Sequence, residues 1–211
     1  MADRFPDYDV LTKRDTPSWN PQTRAVIDER LALVPRDDVL TSDARATLAY
    51  VIDRIVPQPK DRPQTNALAL VLDKLARDSR DGFRHHALPP LRKAWAQGLA
   101  AIDAEAEARF AARFVHLDGG QADAVLSAIE CDETIADWPF PPQVFWKWRL
   151  LPDVVAAYYA HPSAWSAMGF GGPASPRGYV RLDADRRDPW EAAERDDGHL
   201  VPAEVHNRYV G

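Results

Sequence analysis

Six histidines and one cysteine are the side chains of this sequence best suited to bind a metal ion or attack a substrate. The histidines are His85, His86, His116, His161, His199 and His206. None stands in a His-Glu-x-x-His or Glu-x-x-His frame, in which two ligands share one face of a helix. The adjacent His85 and His86 would point in different directions on a regular element. The spacing therefore predicts no metal site in this chain.

Nucleophilic catalysis is not indicated either. The single cysteine, Cys131, lies near a predicted helix end, where a buried and inert thiol is the common case. A lone cysteine also excludes an intramolecular disulfide, which is consistent with a reducing compartment. No Gly-x-Ser-x-Gly elbow is present, and the many carboxylates single out no catalytic pair. His116 and His161 look like residues at helix C-termini, where the helix dipole favours a cation.

A glycine cluster, Gly169–Pro173, is the most distinctive motif. It lacks the Gly-Lys-Ser/Thr ending of a P-loop and the Gly-x-Gly-x-x-Gly spacing of a dinucleotide site. Glycine permits positive φ and proline stiffens the chain, so the run predicts a rigid loop. We expect it to present Trp165, Phe170, Arg177 and Tyr179, which include residue types that anchor interfaces. The alternative is a loop that packs on its own domain.

Composition narrows the possible partners. The chain has 211 residues, a formal net charge of −6, and 7 Trp against 2 Met. Its basic residues are scattered, which disfavours nucleic acid and anionic membranes as partners. No stretch approaches the roughly 20 apolar residues that span a bilayer, so we expect no direct membrane insertion. The N-terminal residues do not resemble a secretory signal, and we expect a cytoplasmic protein or, alternatively, periplasmic co-export with a partner.

Hydrophobic periodicity and capping residues predict a mainly α fold. Asn20-Pro21 is a typical helix start, Thr41 or Ser42 can cap the next helix, and Asp118–Gln121 resembles a capping box. Predicted helices cover about 21–33, 42–55, 65–75, 91–110, 119–129 and 142–161, with a kink or restart at Asp153 because of Pro152. After Pro162 we find no convincing helix or strand, apart from a possible helical turn near 190–195.

These elements suggest an irregular helical domain with two arms. We predict an extended N-terminal arm over 1–20, a helical domain over 21–162, and a Gly/Pro/aromatic wrapping segment over 163–211. The C-terminal segment carries several aromatic residues, and disordered tails are typically poor in aromatics. We therefore expect it to order against the helical body or a partner.

Parts of the sequence resemble a known family. The run Met168–Tyr179, preceded by Trp165, resembles the C-terminal signature of the gluconate 2-dehydrogenase small-subunit family (subunit 3). Leu40–Pro57 is similar to the family's first helix, which ends in Ile-Val-Pro, and Phe114–Leu126 to its central cap and helix. The chain departs from many members in lacking a twin-arginine signal and in carrying Tyr159–Pro162 where they have Tyr-Gly-Gly-Asn.

The resemblance implies a helical subunit that has no cofactor of its own. Its expected partner is a large FAD-dependent oxidoreductase subunit of the glucose–methanol–choline type, which acts on sugars, polyols or glycosides and carries the FAD. We expect this chain to be no enzyme by itself but to stabilise that subunit in a hetero-oligomer such as a heterodimer. The expected interface residues are Trp165, Gly169, Phe170, Gly171, Gly172, Pro173, Pro176, Arg177, Gly178 and Tyr179.

Two other functions stay open at this point. The chain could be a self-contained helical enzyme with a site that the sequence does not reveal, or a scaffold for an unrelated protein. If any residue of this chain reaches a partner's active site, Arg177 and Tyr179 are the expected ones.

Overall fold

The structure, a computed structural model, confirms a mainly α fold. It describes residues 4–56, 58, 60–78, 82, 84–174, 178, 186–193 and 199–210. Over these ranges no strand forms, and the helices are α1 (Pro21–Ala32), α2 (Ser42–Ile55), α3 (Ala67–Ala76), α4 (Leu91–Phe110), α5 (Gly119–Cys131), α6 (Pro142–Phe145), α7 (Leu151–Tyr159), α8 (Pro162–Ala167) and α9 (Ala203–His206). Short 3-10 turns cover Val10–Lys13 and Phe114–His116. No helix within the described ranges is long and apolar enough to cross a membrane.

The chain divides into two compact units. Unit 1 comprises Met1–Ala32, Gln58–Thr65 and Tyr159–Gly211, and unit 2 comprises Leu33–Pro57 and Asn66–Tyr158. The predicted segments 1–20 and 163–211 thus fall into the same unit, which also includes α1. Sequence order alone could not place them together, because their contacts join residues about 150 positions apart.

Helix starts follow the predicted capping residues. The Asn20 side chain accepts the Thr23 N–H at 2.8 Å, and Thr41 accepts the Ala44 N–H at 3.2 Å. Asp118 and Gln121 form the predicted capping box, in which each side chain accepts the other residue's backbone N–H. These bonds satisfy backbone donors that the first helical turn leaves without partners. Local sequence therefore defines these helix starts.

Of the two predicted effects of Pro152, a kink or a restart at Asp153, the restart is wrong. A π-helical turn, Trp146–Leu150, joins α6 to α7, and the Leu151 N–H donates to the Trp146 carbonyl. Proline lacks an N–H, and its ring clashes with the carbonyl four residues earlier in a regular α-helix. The wider π turn directly before Pro152 relieves this conflict. The helical path therefore continues through Pro152 instead of restarting at Asp153.

Unit 2 packs around α4. Its core combines side chains from all of its helices, namely Leu48, Val51, Ile52, Val71, Leu72, Leu75, Trp95, Leu99, Ile102, Val125, Leu126, Ile129, Phe145, Leu150 and Val154. Gly98 lets α4 approach Phe145 closely, because a Cβ at this position would lie 2.3 Å from the ring. The helical spacing of the apolar residues in the sequence matches the faces buried here.

Unit 1 has a separate, smaller core. It consists of Val10, Trp19, Ile27 and Trp165, with Tyr8 and Leu11 packed against it. These residues come from the N-terminal segment, α1 and α8, so three separate stretches of sequence form one cluster. The N-terminal segment is consequently more than an extended arm, since part of it is core.

Candidate functional site

The glycine-rich loop begins directly after α8, a helix that the sequence did not predict. α8 covers Pro162–Ala167 and starts with proline at its first position. We had expected irregular chain after Pro162, because six residues are too few for a periodic pattern. The helix buries Trp165, which is 5% exposed and packs with Val10, Trp19 and Ile27. Its indole N–H donates to the Tyr159 carbonyl.

Two glycines shape the loop. Gly169 and Gly172 have φ of +67° and +65°, a region that strains residues with a Cβ. A Cβ on Gly169 would lie 2.6 Å from the Phe5 ring, and a Cβ on Gly172 would lie 3.0 Å from the Trp165 ring. Both positions therefore favour glycine for conformation, and Gly169 does so for space as well. The predicted rigid loop has a physical basis in these two residues.

The N-terminal segment holds the loop through polar contacts. The Lys13 ammonium donates to the Gly171 carbonyl, and the Trp19 indole N–H donates to the Pro173 carbonyl at 2.8 Å. Lys13 is only 3% exposed and lies over the Trp19 ring, 5.6 Å from its centroid. Since a buried ammonium is costly without acceptors, these contacts fix the N-terminal segment to the loop.

Beside these buried anchors, two apolar side chains of the loop reach solvent. Met168 is 51% exposed and Phe170 is 40% exposed. The Phe170 ring packs edge-on against Trp165, with 6.2 Å between ring centroids. The buried Trp165 thus supports Phe170 on one side, while part of the Phe170 ring is exposed to solvent. Supported aromatic side chains of this kind are common anchors of protein interfaces.

The predicted interface residues have different environments. Trp165 lies in the core of unit 1, and the loop over Gly169–Pro173 packs on the N-terminal segment, which agrees with the alternative that it covers its own domain. Phe170 remains accessible, and so does Gly178, whose φ is +78°. Pro176, Arg177 and Tyr179 lie outside the described residues, as does part of the expected turn over 190–195.

A cavity of about 490 Å³ adjoins the loop. Its lining includes Tyr8, Lys13, Phe170, Trp190 and Glu191. Burial, and then the nearby carboxylate of Glu191, raises the pKa of Tyr8 to about 12. The phenol is therefore neutral at physiological pH. Its hydroxyl has no hydrogen-bond partner among the described residues.

Unit 2 contains a buried ionic cluster around Asp153. The buried Asp153 carboxylate accepts from Lys74 Nζ at 2.8 Å, from the Trp95 indole N–H at 3.1 Å and from Arg149 at 3.4 Å. These bonds join α3, α4 and the π turn to α7. Sequence reasoning missed this cluster, although an aspartate inside the apolar run 150–155 was a detectable signal.

A second buried carboxylate, Glu105, fixes a loop of unit 2. It accepts from Arg109 Nε at 2.5 Å, from the Ala136 N–H at 2.9 Å and from the Ile135 N–H at 3.0 Å. Burial alone raises the pKa of Glu105, but the hydrogen bonds from Ala136, Arg109 and Ile135 together outweigh burial and lower it. Glu105 is therefore a charged structural group rather than a general acid.

The histidines and the cysteine differ in part from expectation. His85 and His86 lie outside any helix, so the expectation of divergent directions on a regular element does not apply to them; their rings stack with centroids 4.6 Å apart. His161 lies at a helix end as expected, two residues after the end of α7, but it is also the N-cap residue of α8. Cys131 is exposed, not buried. Among the described residues no group of three or more His, Cys, Asp or Glu side chains could hold a metal ion.

Comparison with known families identifies this helical chain. The family model described as gluconate 2-dehydrogenase subunit 3 matches residues 42–172, which is more than half of the sequence. The chain belongs to this family, so it is a relative of dehydrogenase subunits. The match ends at Gly172, within the glycine-rich loop. Comparisons with curated proteins and with solved structures found no match.

Proposed function

We propose that this chain is a non-catalytic accessory subunit that binds and stabilises a large FAD-dependent oxidoreductase acting on sugars, polyols or glycosides. Membership of the subunit 3 family is the observation that carries this proposal. In the proposed complex the FAD is held by the large subunit, and this chain holds no cofactor. A cytoplasmic location, as expected from the sequence, belongs to the same proposal.

We further propose that the loop after α8 contributes to the partner interface through Phe170 and Met168. The loop geometry supports this, because glycines at 169 and 172 and the contacts from Lys13 and Trp19 hold the backbone in one shape. A preformed loop loses less conformational entropy on binding than a flexible one. Trp165 acts in this proposal as the internal support of the loop.

The first experiment is co-expression with an FAD-dependent oxidoreductase of the glucose–methanol–choline type from the same genome, followed by size exclusion with flavin absorbance and a sugar-oxidation assay. We expect a yellow, active complex, and a large subunit that is insoluble or inactive when expressed alone. A flavoprotein that is fully active without this chain would contradict the proposal. Sugar oxidation by this chain alone would instead favour a self-contained enzyme, and capture of an unrelated protein with no flavoprotein binding would favour a scaffold.

The loop's contribution is tested with Phe170→Ala. We expect about tenfold weaker binding of the large subunit, which is the size of a moderate interface contact. The matched control is Val26→Ala on α1, because Val26 is 46% exposed and belongs to the same unit. Equal affinities of the two variants would exclude Phe170 from the interface. Trp165→Ala is less informative, since removing a buried tryptophan costs about 3–5 kcal/mol of stability by itself.

A further inference from the structure

His161 occupies an unusual position for a histidine. It is buried, at 5% exposed, and is the N-cap residue of α8. Its Nδ1 accepts the Ser163 N–H at 3.1 Å. Only a neutral imidazole with its proton on Nε2 has a lone pair on Nδ1, so this cap requires the neutral ring. The cap is lost as soon as the ring is protonated.

The position also disfavours a positive charge. The N-terminus of a helix carries partial positive charge, which repels a cation. Burial in addition lowers the pKa of His161 below its ordinary value. The folded form of α8 therefore binds a proton less readily than the unfolded chain does. Because folding and protonation are linked, the stabilisation that the neutral His161 cap gives to α8 is complete at neutral pH. It falls as the pH drops below the ordinary histidine pKa of about 6.5.

Titratable and charged side chains from other segments line a cavity beside His161. This cavity of about 300 Å³ is lined by His161 together with Asp7, Tyr8, Asp9, Asp61 and Arg62. The Arg62 guanidinium donates to the Phe5 and Tyr8 carbonyls, and the Asp9 carboxylate accepts the Leu11 N–H. A protonated imidazole can only donate, so it cannot accept the Ser163 N–H. Protonation therefore removes the cap.

α8 transmits the loss of the cap to its surroundings. It carries Trp165 into the core of unit 1, and its Ser166 hydroxyl accepts the buried Val10 N–H at 3.0 Å. The glycine-rich loop follows directly, with the Phe170 N–H bonded to the Trp165 carbonyl at 2.8 Å. Weakening of the first turn of α8 therefore loosens the anchor of the loop. We propose that His161 is a pH-sensitive latch. Its neutral ring keeps α8 and the glycine-rich loop packed on the N-terminal segment at neutral pH, and its protonation under mildly acidic conditions lets them open.

Hydrogen exchange on the full-length chain tests the latch. Exchange of peptides covering 161–174 is measured at pH 7.5 and 5.5 and corrected for the intrinsic pH dependence of amide exchange. We expect the opening equilibrium to rise by up to about tenfold at pH 5.5, the limit for a group that titrates near 6.5 when unfolded and stays neutral when folded. Peptides from α5 serve as the internal reference.

His161→Asn is the matched variant, because asparagine can accept the Ser163 N–H but does not titrate in this range. We expect its exchange over 161–174 to be independent of pH, while every carboxylate of the cavity is retained. Equal pH dependence in the variant and the wild type would overturn the proposal, and so would a wild-type loop whose corrected exchange does not change.

A direct measurement on the wild-type chain covers the case in which His161→Asn does not fold. Ring ¹⁵N shifts report the protonation state and tautomer of His161. We expect a neutral ring with its proton on Nε2 at pH 7.5, and titration below pH 6.5 accompanied by shifts in the Trp165 indole signal. A ring that is already protonated at pH 7.5, or that carries its proton on Nδ1, would refute the latch.

Discussion

Glu105→Gln is the sharpest test of how the interior of unit 2 is stabilised. The wild-type carboxylate is completely buried and accepts from Arg109 and from the backbone N–H groups of Ile135 and Ala136. Glutamine has nearly the same shape but is neutral and has a single acceptor oxygen. Its amide N–H groups must therefore face one of the existing donors.

The expected cost follows from these contacts. Loss of the charge removes a hydrogen-bonded ion pair worth about 1.5–3 kcal/mol, and a buried donor left unsatisfied costs about 1–3 kcal/mol. Together we expect a destabilisation of about 3–5 kcal/mol, a large part of the ~5–15 kcal/mol by which a typical domain is stable. For a urea m-value of about 2 kcal/mol/M, the unfolding midpoint should fall by about 2 M.

Urea unfolding followed by tryptophan fluorescence measures this shift. Glu107→Gln is the control, because Glu107 lies on the same helix but is exposed, and surface substitutions change stability by about 0.5 kcal/mol or less. A loss below about 1 kcal/mol in Glu105→Gln would refute the claim that the carboxylate holds the loop over 133–136.

The lowered pKa of Glu105 determines how the stability difference between the wild type and Glu105→Gln depends on pH. A carboxylate with a lowered folded-state pKa stabilises the protein above its unfolded pKa, and this contribution is lost as the pH falls through the folded-state value. We therefore expect the wild-type advantage over Glu105→Gln to be full at pH 7. It should shrink progressively below about pH 4.5.

Two further substitutions test close approaches of the backbone. Gly98→Ala should destabilise unit 2 by about 1–3 kcal/mol in thermal unfolding, because its Cβ would lie 2.3 Å from the buried Phe145 ring. Unchanged stability would show that the ring can move aside. Gly169→Ala should cost about 1–3 kcal/mol, because its φ is positive and its Cβ would meet Phe5 at 2.6 Å. Gly171→Ala is its control, since that Cβ has only an ordinary contact at 3.6 Å; similar losses in both variants would contradict the argument.

Local features of the sequence predicted most of the helices in unit 2. Apolar spacing located α2, α4 and α5, and the capping box at Asp118 located the start of α5. These signals act within one or two turns, so they can be read without knowledge of the fold. α8 was missed because a six-residue helix gives no periodic pattern.

The candidate site was predictable only in outline. The glycines of the loop were recognised as conformational devices, and two of them indeed have positive φ next to aromatic rings. The burial of Trp165 was not predictable, because its neighbours Val10, Trp19 and Ile27 come from the opposite end of the chain. The same holds for the Lys74 partner of Asp153, which comes from α3, whereas Arg149 is a local partner four residues away.

The sequence by itself therefore determined the helical class, the starts of α1, α2 and α5, the glycine loop and the family. Each of these depends on residues close together in the chain or on a matching pattern. The tertiary structure decided which aromatic residues are core and which reach solvent, and which charges are paired. It also placed His161 in a buried position as the N-cap residue of α8. Burial and ion pairing depend on contacts between distant residues, and a histidine is held neutral by its surroundings rather than by its position in the sequence.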